Sequence, residues 1–194
     1  MIEVLLAVSL LHKIVAAEAQ QNAMRLQYEC RELQENWDAG NKDASLRTKL
    51  YDVILLEGLR YRKLIFRNGE PLSSDERRLV DDDMLRTSVL RQAVVDKPTG
   101  EPLATLGRTH NLTLAAPNQL IVTPRTTGRS YRLTYDPTSF AILEYVREDG
   151  DMRLTIEYTN EPDSPHFLRR MEVLFTAGIP RVQQSLFSDY RRAQ

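Results

Sequence analysis

Cysteine is almost missing from this chain: Cys30 is the single one in 194 residues. No disulfide can form within the chain, so stability has to come from packing. An excess of charge of one sign is missing too, with 26 basic residues against 27 acidic ones and a net charge of −1. No global field then draws the protein to nucleic acid or to an anionic bilayer, and no nucleic-acid partner is expected. No apolar run approaches the ~20 residues that cross a bilayer, which argues against a membrane span. The eight glycines never fall into the GxGxxG or GxxxxGKS/T patterns that cradle phosphates. No GxSxG supplies a nucleophile elbow. His12, His110 and His166 are far apart, with no HxxH or HExxH spacing and no cysteine pair, so a zinc site is not indicated. These absences leave a chain with no catalytic residue, metal site or cofactor to name, and the expectation is a protein that is not an enzyme.

What is present is an ordinary globular mixture, 42% apolar and 27% charged, which should fold around one core. The first stretch reads two ways. Residues Met1 to Leu11 are apolar apart from Glu3 and Ser9, and Ala17, Glu18 and Ala19 before Gln20 resemble a signal-peptidase site. No basic residue precedes the run, however, and His12 and Lys13 interrupt it. The other reading is a helix, with Leu11, Val15 and Ala19 repeating at i, i+4 and no Gly or Pro before Gly40. Residues 1–23 are therefore assigned as an N-terminal helix or a degenerate signal segment, and 24–194 as a single β-rich domain. Export is expected if the start is cleaved, and a cytoplasmic location if Met1 is the true start.

Alternation marks the strands. From Met24 to Leu33, Leu26, Tyr28 and Cys30 share one face and Arg25, Gln27, Glu29 and Arg31 the other. Leu50 to Leu56 and Arg60 to Arg67 read as the next two strands, the second closed by Asn68 and Gly69, a pair that tolerates positive φ. Ser73 to Glu76 matches a capping box, so a helix is predicted over about 73–96, ending at Pro98 and Gly100. Beyond Gly107 come short runs at Leu112 to Ala115, Leu120 to Thr123, Tyr131 to Tyr135, Phe140 to Val146, Met152 to Tyr158, Leu168 to Thr176 and Val182 to Phe187. Hairpin-type links join them, Asp136 to Thr138 and Glu148 to Asp151 among them, so an antiparallel meander is expected. Met152, Leu154, Ile156 and Tyr158 oppose Arg153, Thr155 and Glu157, giving the sheet a dry face that something must cover.

Several phrases carry a family resemblance. Tyr61 to Ser74, an arginine-rich strand running into RNGEPLS, together with Tyr135 to Tyr145 and the ending from Phe187 to Arg191, resembles exported bacterial proteins of unknown function with a lipoprotein-carrier-like, LolA/LolB-like fold. The resemblance covers most of the chain from Leu11 onward and lies in structural phrases, so it speaks for fold more than for function. It implies an α+β fold, a curved antiparallel sheet forming an incomplete barrel covered by helices. It also implies a periplasmic setting and an apolar cavity for acyl chains between sheet and helices.

The candidate lining residues are Tyr131, Leu133, Leu154, Ile156, Val173 and Phe175, each of which could equally be core. The expected ligand or partner is a lipid or an acylated protein. The competing reading is an interaction or scaffold module of the bacterial envelope, with a filled core, no ligand and an envelope protein as its partner. Other clusters read as solvated surface: Asp81 to Asp83 on consecutive helical positions, Asp163 with His166 in one loop, and Glu144 with Glu157 at outward strand positions. Arg60, Arg62, Lys63 and Arg67, interleaved with Tyr61 and Phe66, would suit nucleic acid but read better as the polar face of an exposed strand. Cys30 reads as a buried, inert thiol. Asn111 to Thr113 forms a glycosylation acceptor, meaningful only in a eukaryotic secretory setting.

Overall fold

The computed structural model of the chain describes residues 2–25, 27–56, 59–86, 103–161 and 165–193. Those residues form four helices and eleven strands, and every strand pairing within the two units described below is antiparallel. In chain order these are α1 (Ile2–Arg25), β1 (Tyr28–Asp38), α2 (Lys42–Ser45), β2 (Arg47–Leu56), β3 (Leu59–Arg67), β4 (Glu70–Pro71), α3 (Ser74–Arg86) and α4 (Leu103–Thr109). Then come β5 (His110–Ala116), β6 (Gln119–Pro124), β7 (Ser130–Tyr135), β8 (Ile142–Asp149), β9 (Met152–Tyr158), β10 (Leu168–Phe175) and β11 (Arg181–Arg192). The chain divides into two compact units, residues 1–25 with 99–177 and residues 26–98 with 178–194.

The first unit is the meander expected from the hairpin links, in the order β10-β9-β8-β7-β6-β5. Its register explains why alternation was readable. Leu120, Leu133, Tyr145, Ile156 and Met171 stand opposite one another across five strands, and all are buried. Val122, Tyr131, Arg147, Leu154 and Val173 form the adjacent row on the same face. The opposite face is charged: Glu144 and Glu157 are cross-strand neighbours, but Arg132 lies 3.7 Å from Glu144 and Arg170 2.9 Å from Glu157. Each carboxylate thus sits beside an arginine, as outward strand positions require.

α1 and α4 pack in the same unit, with Ala7, Leu11, Ile14 and Leu106 buried. The buried stripe of α1 runs Ala7, Leu11, Ile14, Glu18 and Arg25, at helical spacings of four, three, four and seven. It shares only Leu11 with the stripe expected from Leu11, Val15 and Ala19, because the lower half of the helix buries a polar pair that a hydrophobicity pattern cannot show. For the same reason Met24 and Arg25 belong to the helix and not to the first strand, which begins at Tyr28. The strand expected from Phe140 begins instead at Ile142: Phe140 has φ 60°, in the turn that Asp136 organises by accepting the backbone N–H groups of Thr138 and Ser139.

The second unit has the order β4-β3-β2-β1-β11. The β3–β4 reversal is the expected one, with Asn68 at φ 51° and Gly69 at φ 82°. The capping box forms as read: Ser73 Oγ accepts the Glu76 N–H at 3.3 Å, and Glu76 accepts the Ser73 N–H at 3.0 Å. The Ser73 N–H, and then the Ser73 hydroxyl donating to the same carboxylate oxygen at 3.0 Å, hold the Glu76 carboxyl below its ordinary value. α3 is described to Arg86, and the rest of the helix expected to about residue 96 lies outside the described residues.

Candidate functional site

An open groove of about 490 Å³ lies in the first unit, between the N-terminal half of α1 and the β5–β6 hairpin. This volume is within the ~300–1,000 Å³ that small-molecule sites usually occupy. Its helix wall is Leu6, Ser9, Leu10 and Lys13, at spacings that put all four on one side of α1. Its strand wall runs from Leu114 to Pro117, and Tyr135 lies at its floor. β5 is the end strand of the sheet and pairs with β6 alone among the described strands. Leu6 and Leu114, one on each wall, are 56% and 42% exposed, and Leu5 beside Leu6 is 66% exposed.

Tyr135 connects the groove to the buried layer. It alternates with Leu133 and Tyr131 on β7, so all three face the same way, and its hydroxyl donates to the Pro117 carbonyl at 2.8 Å. Burial raises that hydroxyl above the usual phenol value. Of the six residues named from the sequence, Tyr131, Leu133, Leu154 and Ile156 are brought together in the buried rows at 4% exposure or less. Val173 stands opposite Leu154 and is half-buried, while Phe175, two residues further along β10, is exposed. None of the six lines the groove itself.

The lower half of α1 is fixed by a buried polar anchor that sequence reasoning missed. Arg25 Nε donates to the His166 carbonyl at 2.6 Å, and its Nη1 donates to Asn22 Oδ1 at 2.8 Å and to Glu18 Oε2 at 3.2 Å. Its guanidinium lies 4.5 Å over the Tyr158 ring. Glu18 Oε1 accepts the Ile142 N–H at 3.2 Å, and Gln21 Oε1 accepts the His166 N–H at 2.8 Å. Desolvation, and then the Glu18 carboxylate, pushes the Tyr158 hydroxyl far above the usual phenol range. α1 is thereby tied to β8, to β9 and to the segment before β10, whereas its first turns carry the exposed leucines. His166, read from sequence as part of a solvated loop with Asp163, is instead buried in this anchor; Asp163 lies outside the described residues.

The second unit holds a different cluster. Glu32 on β1 is 2% exposed, and its Oε1 accepts Arg62 Nη2 at 2.6 Å and Ser185 Oγ at 2.8 Å. Arg62 also stacks 4.2 Å from the Tyr51 ring. Burial raises the Glu32 carboxyl above its ordinary value, with Arg62 and Ser185 pulling it back. Arg62 therefore does not belong to an exposed polar strand face, as expected from sequence, because it turns inward to a buried carboxylate. Arg67 pairs with Glu76 at the surface, 3.3 Å away. Cys30 is buried on β1. The side chains of Arg60 and of Asp81 to Asp83 lie outside the described residues. Among the described residues no three His, Cys, Asp or Glu side chains gather as a metal site would need, and no helix is long and apolar enough to cross a membrane.

No family model and no curated protein matches the chain. Among solved structures it is similar to a LolA superfamily protein from Nitrosomonas europaea, at 11% identity over 97% of this chain and 93% of that one, with a TM-score of 0.46. It is similar to a DUF1329 family protein from Desulfovibrio piger, at 12% identity over 96% and 93% with a TM-score of 0.44. A third is an outer membrane lipoprotein-sorting protein domain from Vibrio parahaemolyticus, at 12% identity over 90% of each chain with a TM-score of 0.43.

Proposed function

We propose that this chain is a non-enzymatic binding protein of lipoprotein-carrier type, working in the bacterial envelope and holding an apolar, acyl-like ligand between sheet and helix. The observation that carries this reading is the open groove whose floor, Tyr135, continues into a buried and mostly apolar sheet face, with Arg147 its charged member. Ligand enters along Leu6, Leu10 and Leu114. The layer of Tyr131, Leu133, Leu154 and Ile156, with Val173 and Phe175 at its margin, is the deeper surface that a longer chain meets when the first turns of α1 lift away. Burying about ten methylenes at ~0.8 kcal/mol each is worth ~8 kcal/mol, near micromolar affinity before ordering costs. The ligand would be a free lipid or the acyl chain of a modified protein.

The test is fluorescence of a neutral apolar probe, N-phenylnaphthylamine, with and without dodecanol as competitor. Saturable enhancement that dodecanol reverses, and that Leu10→Glu or Leu114→Glu abolishes, supports the proposal. Absence of probe binding by a folded protein contradicts it. A second reading has its own observation: four of the six candidate residues are at most 4% exposed, so the layer is already filled. On that reading the sheet is a scaffold for an envelope protein partner, and the probe finds no site.

A further inference from the structure

The groove is not uniformly apolar. Along α1, Leu6 and Leu10 form one row at i, i+4, and Ser9 and Lys13 form the row beside it. The apolar row thus runs beside a polar one, the Ser9 hydroxyl lying level with Leu10 and the Lys13 ammonium closing that end of the helix wall, about 10 Å along the helix axis from Leu6. Lys13 has no carboxylate partner among the described residues. Its Nζ rests 4.7 Å from the centre of the Phe140 ring, which orients the charge without neutralising it. Phe140 is itself held in a left-handed conformation at φ 60° and stacks against Tyr135, the groove floor. The turn that places Phe140 under Lys13 is fixed by Asp136, whose carboxylate accepts backbone N–H groups and stays within its own loop. No acidic side chain lines the groove.

We infer that the groove takes a single-chain amphiphile with an anionic head, the chain lying along Leu6, Leu10 and Leu114 and the head paired with Lys13, with the Ser9 hydroxyl as a second donor. This deepens the carrier reading and rests on it. A neutral or cationic head would leave Lys13 uncompensated or repelled, so head charge sorts ligands of equal chain length. Lys13 is exposed, so its pairing is worth what exposed ion pairs usually are, about a two- to fivefold preference, and is screened by salt.

The experiment displaces N-phenylnaphthylamine from the full chain with dodecanoate, dodecanol and dodecylammonium below their aggregation concentrations. The inference predicts that dodecanoate competes about two- to fivefold better than dodecanol, with dodecylammonium weakest. Lys13→Gln should erase that order, chiefly by weakening dodecanoate, Lys13→Arg should keep it, and ~1 M salt should flatten it. Equal competition by the three heads, or an order that survives Lys13→Gln, overturns the anionic-head inference and leaves the carrier reading standing. Failure of the probe and of all three competitors to bind overturns the carrier reading itself. Lys13 is exposed and glutamine is a good helix former, so the variant should fold, which circular dichroism checks.

Discussion

Replacing Arg25 by Met should release α1 from the first unit. The guanidinium makes hydrogen bonds to the His166 carbonyl, Asn22 and Glu18, and it lies over Tyr158; the side chains of Arg25 and Glu18 are 10% and 9% exposed. Methionine keeps the length and the contact with the ring, so the packing loss is small. What is lost is the charge that compensates Glu18, leaving a buried carboxylate with the Ile142 N–H as its other partner. Breaking one side of a buried pair costs about 3–5 kcal/mol. With a urea dependence of ~2 kcal/mol per molar, the unfolding midpoint of this unit should fall by roughly 1.5–2.5 M. Adding Glu18→Gln removes the stranded charge and keeps an acceptor for Ile142. The double variant should therefore recover most of the loss, to within about 1–3 kcal/mol of wild type, the residue being the unsatisfied His166 carbonyl. Urea melts by circular dichroism measure the totals, and hydrogen exchange of the α1 amides locates the effect. A single variant within about 1 kcal/mol of wild type, or a double variant as damaged as the single one, would refute the anchor as described.

Other consequences are equally measurable. Glu32 has a folded-state pKa raised by burial, so its contribution to stability is fully present below its unfolded pKa and is lost as pH rises through the raised value. Wild type should therefore lose stability relative to Glu32→Gln on going from about pH 4 to pH 8, whereas parallel thermal-melt curves for the two would contradict the assignment. Gly69→Ala meets no atom within 4 Å of the new Cβ, so its cost is only that of φ 82°, roughly 1–2 kcal/mol in chemical denaturation; a larger loss would mean that the reversal packs against something. Leu133→Ala, at a site with no exposure, should cost about 2–5 kcal/mol, while Leu114→Ala at the groove rim should barely change the melt.

Legibility from sequence followed burial chemistry. In the first unit the inward positions are mostly apolar, Arg147 apart, so alternation along β9 places Leu154 and Ile156 on one face with Met152 and Tyr158. Local devices were equally plain, because Ser73 with Glu76 and Asn68 with Gly69 act through backbone geometry within four residues. In the second unit the inward positions of β1 are Cys30, Glu32 and Gln34, and a strand that buries polar groups gives no hydrophobic signal, so its extension to Asp38 went unread. Arg25 was misplaced for the same reason, since its partners Glu18 and His166 stand 7 and 141 residues away. The groove was invisible because it depends on where α1 lies against β5, which no local pattern encodes; the six residues drawn from alternation instead mark the sheet face next to it.

The most direct test of a ligand between helix and sheet is photo-crosslinking with a diazirine-bearing fatty alcohol, followed by mass spectrometry of the labelled peptides. Label on the α1 peptide carrying Leu6 and Leu10 and on the stretch from Leu114 to Pro117, lost when unlabelled dodecanol is added, is the predicted result. Label confined to the second unit, or none that dodecanol displaces, would contradict it.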